Sequence, residues 1–411
     1  MSNSVTTAAV FTPPAPYQVR HLIIFLAGLT IPTLTIFSHL FILILILLIL
    51  FDKAQYPNYL DRLRPHAVVW VAILLFILLS LGISYSSAPL NEATHIWLKY
   101  KKLLFIPFFI LTFRTDQDRW FGIYGFLTAM VITLLLSYIM HFTGVKIGAG
   151  TVENTYIFKS HITQGIFMAL AAYFLAVHAL KFPQWRWLCL LLALFAGYHV
   201  LFMLHGRTGY VLIVCLTFLL IYQLFRWRGI FMALLPLLTF GGIIFVTSDV
   251  IQQRIGHIPE EFQQHQLGDG VTSVGLRTEY LQHGLTLVRQ SPWIGHGTGS
   301  VGHDYWQFIQ PEQKDKHTVN LHNEYLMMMV QLGIIGLAVF IYLFYVLWRD
   351  SERLNDAYIF MAQGIVLTMI IGCLLNSSWF DMTEGYLFAY LIGIFYSSYH
   401  YQPKMRESTQ S

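Results

Sequence analysis

Guanidinium and imidazole groups beside breaks in the apolar pattern are the residues of this chain best suited to chemistry on a phosphorylated substrate. Arg207 lies in His205-Gly206-Arg207-Thr208-Gly209, a glycine-flanked break between two apolar runs. There its planar fork could hold two phosphate oxygens at once, or serve only as an interfacial anchor. His322 stands directly before an apolar helix that opens with Asn323, Glu324 and Tyr325. A helix N-terminus offers free N–H groups and partial positive charge, which suits phosphate. An imidazole there, with an ordinary pKa of about 6.5, can take a proton from a sugar hydroxyl, although a lone interfacial histidine is more often structural. Arg277 falls in 273–290, where Val274, Leu276, Tyr280, Leu281, Leu285 and Val288 suit an amphipathic helix lying on the membrane or on a bundle. Taken alone, Arg277 reads as a polar-face residue of that helix.

The remaining candidates are weaker. His257, His265, His283, His296, His303 and His317 share one long loop, but their spacing matches no compact metal motif, so no metal and no cofactor is expected. Gly295-His296-Gly297-Thr298-Gly299 lacks the preceding strand and the Lys-Ser/Thr of a nucleotide loop, and predicts a tight, close-packed turn. Cys189, Cys215 and Cys373 lie in apolar runs without ligand or disulfide spacing and read as small buried hydrophobes.

These residues must be positioned by membrane helices. The chain is 56% apolar, 16% aromatic and 11% charged, too little charge to cover a soluble protein of 411 residues. Its net charge of +4 is too small an excess to argue for nucleic acid. Because backbone polar groups cannot be left unpaired in lipid, runs of roughly 20 apolar residues predict spanning helices. Such helices are expected near 21–36, 38–51, 66–83, 98–113, 119–141, 161–180, 185–204, 209–225, 229–247, 323–348, 357–375 and 384–400. The fold class is therefore all-α, a polytopic membrane bundle of about 12 helices, or about 11 if 21–51 is a single kinked span. The polar stretch before the first run has no basic n-region or cleavage site and reads as a short disordered arm.

Basic residues mark the cytoplasmic loops. Lys53, Arg62, Arg64, Arg114, Arg119, Lys181, Arg186, Arg226, Arg228, Arg349, Arg353, Lys404 and Arg406 then share one side. The expected division is a cytoplasmic arm at 1–20, a first helical part at 21–247, an outer loop at 248–322, the last helices at 323–400 and a cytoplasmic tail at 401–411. The loop is far longer than a connector requires, so function should concentrate there. Lys99, Lys101, Lys102, Lys146, Lys159, Arg207, Arg254, Arg277, Arg289, Lys314 and Lys316 fall on the outer side, against the rule. Cations grouped near hydrocarbon suggest an anionic ligand such as a lipid phosphate or diphosphate, or else neutralise headgroups. Lys99, Lys101, Lys102, Arg289 and Tyr325 are taken as candidate substrate contacts.

Read in order, the motifs resemble the O-antigen ligases and polymerases of bacterial envelopes. The likeness runs from Arg207-Thr208-Gly209, which opens a helix, through Ser273 and Arg277 to Ser291-Pro292-Trp293-Ile294-Gly295-His296-Gly297. It ends in Leu321-His322-Asn323-Glu324-Tyr325-Leu326 and Gly333-Ile334-Ile335-Gly336. Either short motif alone is weak; the ordered set is specific. Thr208 stands where serine would be about as common, and the hydroxyl is kept.

The resemblance implies a metal-independent glycosyltransferase at the periplasmic face of the bacterial inner membrane. Its donor would be a glycan on undecaprenyl diphosphate. In the ligase branch the acceptor is the lipid A core oligosaccharide, and membrane lipids are a further expected partner. It also implies that Arg207 and Arg277 are the family's essential arginines and His322 its essential histidine. Charge developing on a diphosphate leaving group could be stabilised by two guanidinium groups. No carboxylate pair or activated nucleophile stands out in the motifs, so a direct, inverting displacement is expected, with Glu279, Glu324 and Asp304 as rival bases. An O-antigen polymerase and a protein O-oligosaccharyltransferase share these motifs. A transporter of lipid-linked sugars is the alternative outside the enzymes, but it would need ionisable residues inside the spans.

Overall fold

The computed structural model describes residues 15–52, 56–247, 273–309 and 317–399, with positions 252 and 256. All regular structure among them is helical. The helices are α1 (Ala15–Thr30), α2 (Thr35–Phe51), α3 (Tyr56–Leu63), α4 (Ala67–Ile83), α5 (Leu90–Lys99), α6 (Phe105–Thr112), α7 (Asp116–Thr143), α8 (His161–Lys181), α9 (Arg186–Tyr198) and α10 (Arg207–Thr247). The order continues with α11 (Ser273–Gln290), α12 (Ser300–Tyr305), α13 (Glu324–Ser351), α14 (Ile359–Leu375) and α15 (Met382–Tyr396).

Five segments are long and apolar enough to cross a membrane: Asp116–Thr143, His161–Lys181, Pro183–Met203, Arg207–Gly229 and Glu324–Ser351. Four shorter apolar helices accompany them, at Gln18–Thr30, Ile36–Phe51, Ala67–Ile83 and Ile359–Leu375. The chain is a helical membrane protein. The expected count of about twelve goes beyond these five, because several helices are too short or too polar to meet a spanning length on their own.

The ambiguous 21–51 stretch forms two helices, separated where the Thr30 carbonyl accepts from the N–H groups of Thr33 and Leu34. The first of them begins at Ala15 rather than near residue 21. The expected helix at 98–113 is composite: α5 tightens into a 3₁₀ turn over Tyr100–Leu104 before α6.

Burial follows composition. Helices α8 and α15 are mainly apolar and buried on nearly every face, as core helices should be. Around them, α8 packs on α9, α10 and α14, while α15 packs on α6, α7 and α14. Helix α9 turns Trp187, Leu191 and Leu194 outward, where lipid replaces water as solvent. Helices α1 and α7 approach so closely that a Cβ on Gly125 would lie 2.2 Å from the Phe25 carbonyl oxygen, the small-residue contact expected without a hydrophobic drive between helices.

Candidate active site

Glycine-dependent contacts bring the site together. At the start of α10, a Cβ on Gly206 would stand 3.2 Å from the His161 carbonyl oxygen, so this position lets the first turns of α8 and α10 meet. Ser160 caps α8, its hydroxyl accepting from the Thr163 N–H at 3.1 Å. Asn323 caps α13, its side chain accepting from the Leu326 N–H at 3.0 Å. Immediately before that cap, His322 has φ +51°, a left-handed conformation that costs a non-glycine residue on the order of 1 kcal/mol or more. The Asn320 side chain holds it there, accepting from the His322 N–H at 2.9 Å.

A second junction fixes α11 beside α13. At Gly333, with φ +63°, α13 breaks, and the Val330 and Gln331 carbonyls accept from the N–H groups of His296 and Gly297 at 2.8 and 2.9 Å. The turn threaded into the break is the glycine-rich segment, with positive φ at Gly295, Gly297 and Gly299, as the close-packed-turn expectation required. His296 closes it. Its Nε2 lies 2.9 Å from the Leu287 carbonyl of α11, and its Nδ1 3.1 Å from the Asp304 carboxylate. That hydrogen bond to Asp304 raises its pKa above the ordinary imidazole value against the opposing effect of burial.

The result is a cavity of about 250 Å³ lined by His161, Ile162, His205, Gly206, Arg207, Thr208, Leu276, Arg277, Tyr280 and His322. It gathers the three residues singled out in the sequence from the start of α10, from α11 and from the segment just before the α13 cap. Among the described residues, the lining contains two guanidinium groups and no carboxylate. Burial, followed by the charge of Arg207, lowers the pKa of Arg277, as expected where two cations share a partly desolvated space. The first turns of α8 and α10 line the same space, and the partial positive charge of two helix N-termini adds to its preference for an anion.

The imidazole of His322 is held on two sides. Tyr280 stacks on it, with ring centroids 5.9 Å apart and planes 17° from parallel. Its Nδ1 lies 2.8 Å from Oδ1 of buried Asn376, whose Nδ2 donates to the Asp381 carboxylate at 3.3 Å. A carboxylate only accepts, so Asp381 sets the amide orientation, and the amide oxygen can then only accept from His322. In the neutral imidazole the proton therefore sits on Nδ1, leaving the Nε2 lone pair as the acceptor.

The rival bases are engaged elsewhere. Glu324 is fully buried and accepts from the Tyr100 hydroxyl and from the N–H groups of Trp379 and Phe380, all at 3.0 Å. Asp304 faces His296. Glu279 is half-buried on α11 and does not line the cavity.

The accessory cations do not join the three. Lys102 is buried and donates to the Phe380 and Asp381 carbonyls, Lys99 lies 3.9 Å over the Phe380 ring, and Lys101 is half-buried outside the lining. Lys99 and Lys102 thus brace the turn that carries Asn376 and Asp381. Arg289 is exposed near the far end of α11. Tyr325 donates its hydroxyl to the Ile370 carbonyl at 3.1 Å and packs on Phe340. Of the other loop residues, Arg254, His257, His265, Lys314 and Lys316 lie outside the described residues. His283 meets the Tyr305 hydroxyl at 3.0 Å and His317 the Gly302 carbonyl at 2.7 Å.

Larger clefts of about 350 and 530 Å³ lie at the other end of the bundle, beside Arg20 and His21, and their walls are mainly apolar. Chemistry, not volume, distinguishes the smaller cavity.

Residues 190–341 match the O-antigen ligase family. That span contains Arg207, Arg277 and His322, so the resemblance carried by the ordered motifs is borne out over it. An uncharacterised protein of Haemophilus influenzae is 25% identical over 124 residues, which cover 29% of this chain and 31% of that protein.

Asn376, Asp381, His161 and the stacking role of Tyr280 were not legible as site features. Asn376 and Asp381 belong to a short turn remote in sequence from His322. Tyr280 registers in the sequence only as one apolar position of an amphipathic helix.

Proposed function

We propose that this protein is an O-antigen ligase. It moves a glycan from undecaprenyl diphosphate to the lipid A core oligosaccharide at the periplasmic face of the inner membrane. The convergence of Arg207, Arg277 and His322 on one cavity, with no carboxylate among its described lining residues, carries this reading. In the reaction, Nε2 of His322 takes the proton of an acceptor hydroxyl as that oxygen bonds to the anomeric carbon. The glycosidic bond to the diphosphate breaks in the same displacement, its electron pair leaves with the diphosphate oxygen, and the anomeric centre inverts. Arg207 and Arg277 meet the developing charge with forked donors already in place, the electrostatic contribution that mutagenesis elsewhere values at about 3 kcal/mol per donor group. Asn376 and Asp381 hold the imidazole in the tautomer that can act as base.

Purified protein supplied with carrier-linked glycan and core lipid should yield the joined product. Elongated carrier-linked glycan in its place would make the protein a polymerase. Neither product, with carrier-linked glycan moved across a sealed bilayer, would favour transport.

A further inference from the structure

Next to the cavity lies a group of aromatic rings that the proposed transfer step does not use. Tyr280, which stacks on His322, meets Tyr305 edge-on at 5.8 Å, and Tyr305 meets Phe308 at 5.9 Å and His317 at 6.4 Å. His317 lies flat on Trp306, with centroids 4.0 Å apart, and His283 lies flat on Phe308 at 4.4 Å. His317 covers one face of the Trp306 indole, yet the residue remains 47% exposed. We propose that this ledge seats pyranose rings of the acceptor oligosaccharide, with Trp306 as its outermost stacking residue. The inference rests on reading Arg207, Arg277 and His322 as the transfer site.

Three observations support a saccharide over another occupant. A pyranose presents an apolar C–H face within a rim of hydroxyl groups, and the ledge presents ring faces with polar groups at their edge. Gln307 and His303 are exposed there, and Thr318 and Asn320 are half-exposed. Asp304, a carboxylate beside the ledge, is paired with His296, which offsets its repulsion of an acidic sugar. The rings are also continuous with His322, on whose side the acceptor hydroxyl must arrive.

Helix α11 sets the order. Arg277, Tyr280 and His283 are three residues apart, each about 4.5 Å further along the axis. From the diphosphate at Arg277, the imidazole paired with Tyr280 comes next and the ledge follows, roughly one sugar unit beyond. Donor phosphate and acceptor saccharide therefore lie on opposite sides of the base.

The test uses full-length protein in lipid nanodiscs, with acceptor varied at saturating donor, and the affinity for delipidated acceptor oligosaccharide measured separately without turnover. Trp306→Ala should raise the acceptor KM and weaken oligosaccharide affinity about tenfold, leaving kcat and the donor KM within about twofold, since a buried stack contributes about a factor of ten. Trp306→Phe should recover most of that loss, and Phe308→Leu should reproduce it in part. An unchanged acceptor KM and oligosaccharide affinity in Trp306→Ala would overturn the proposal. So would wild-type protein that binds no oligosaccharide, or a variant whose defect is loss of bilayer association with saccharide affinity intact, which would make Trp306 a membrane anchor. Trp306-dependent oligosaccharide binding without any transfer would support the ledge and count against the transfer reading alone.

Discussion

The two ends of the bundle use arginine in opposite ways. At the end formed by α1, α3 and the start of α7, guanidinium groups meet carboxylates or helix ends: Arg20 with Asp118 at 3.2 Å, Arg114 with Asp52 at 2.5 Å and Arg119 with Asp116 at 2.6 Å. Arg62 there reaches the Ile110 and Leu111 carbonyls at the end of α6. At the other end, Arg207 and Arg277 line one cavity with imidazoles and, among the described residues, no carboxylate. The first arrangement neutralises charge within the fold. The second places two guanidinium groups in one partly buried space, where burial first and the Arg207 charge second lower the pKa of Arg277, an environment that suits an anion.

Substitution should separate the two ends most sharply. Arg277→Ala should lower transfer by about 100-fold or more while leaving unfolding little changed, because its charge faces the cavity. Arg114→Ala should do the reverse, costing about 1 kcal/mol of stability with transfer within a few-fold of wild type. Equal transfer losses in both variants would erase the distinction.

Gly333→Ala tests how the active end is assembled. The new Cβ would lie 2.3 Å from the Trp293 carbonyl, at φ +63°, so at least about 3 kcal/mol of destabilisation is expected. Thermal unfolding in detergent would measure it. A stable variant with normal transfer would show that the threaded turn is not needed to place α11.

Asn376→Asp sharpens the role of the imidazole support. A carboxylate against Nδ1 stabilises the charged imidazolium, so the acid limb of the kcat/KM profile should move to higher pH. Asn376→Ala should lower kcat about tenfold, with donor affinity retained, within the range general-base positioning contributes. An unshifted profile in the aspartate variant would remove Asn376 from the account.

The smallest effect is expected at His296. Its folded-state pKa is raised, so its pairing with Asp304 stabilises fully below the unfolded value near 6.5 and fades as pH rises through the folded value. The difference in Tm between wild type and His296→Gln should therefore be larger at pH 6 than at pH 8.5. A difference that grows with pH would have the wrong sign.

Much of this was legible in the sequence because motif and mechanics coincide. His205-Gly206-Arg207-Thr208-Gly209 reads as a break, and Gly206 is the position where α10 meets α8. Gly295-His296-Gly297-Thr298-Gly299 reads as a tight turn and Gly333 as one glycine of a motif inside an expected helix, and the two prove to be halves of one junction. What stayed hidden depends on which residues oppose each other across the bundle. Lys102 has the type and position of an interfacial phosphate ligand, yet the fold buries it against the carbonyls of the 376–381 turn. Glu324 sits beside His322 in sequence and looks equally able to act as base. Capping by Tyr100 and two backbone N–H groups makes it a structural acceptor, which only the tertiary arrangement reveals.

The central claim is that one cavity holds the donor diphosphate at Arg207 and Arg277 and deprotonates the acceptor through His322. Its most direct test is the single-turnover rate of glycan transfer by His322→Gln at saturating carrier-linked donor, with donor affinity measured on the same preparation. The account predicts a rate reduced by about 100-fold or more, with donor affinity within a few-fold of wild type. A variant that transfers glycan at close to the wild-type rate would contradict it.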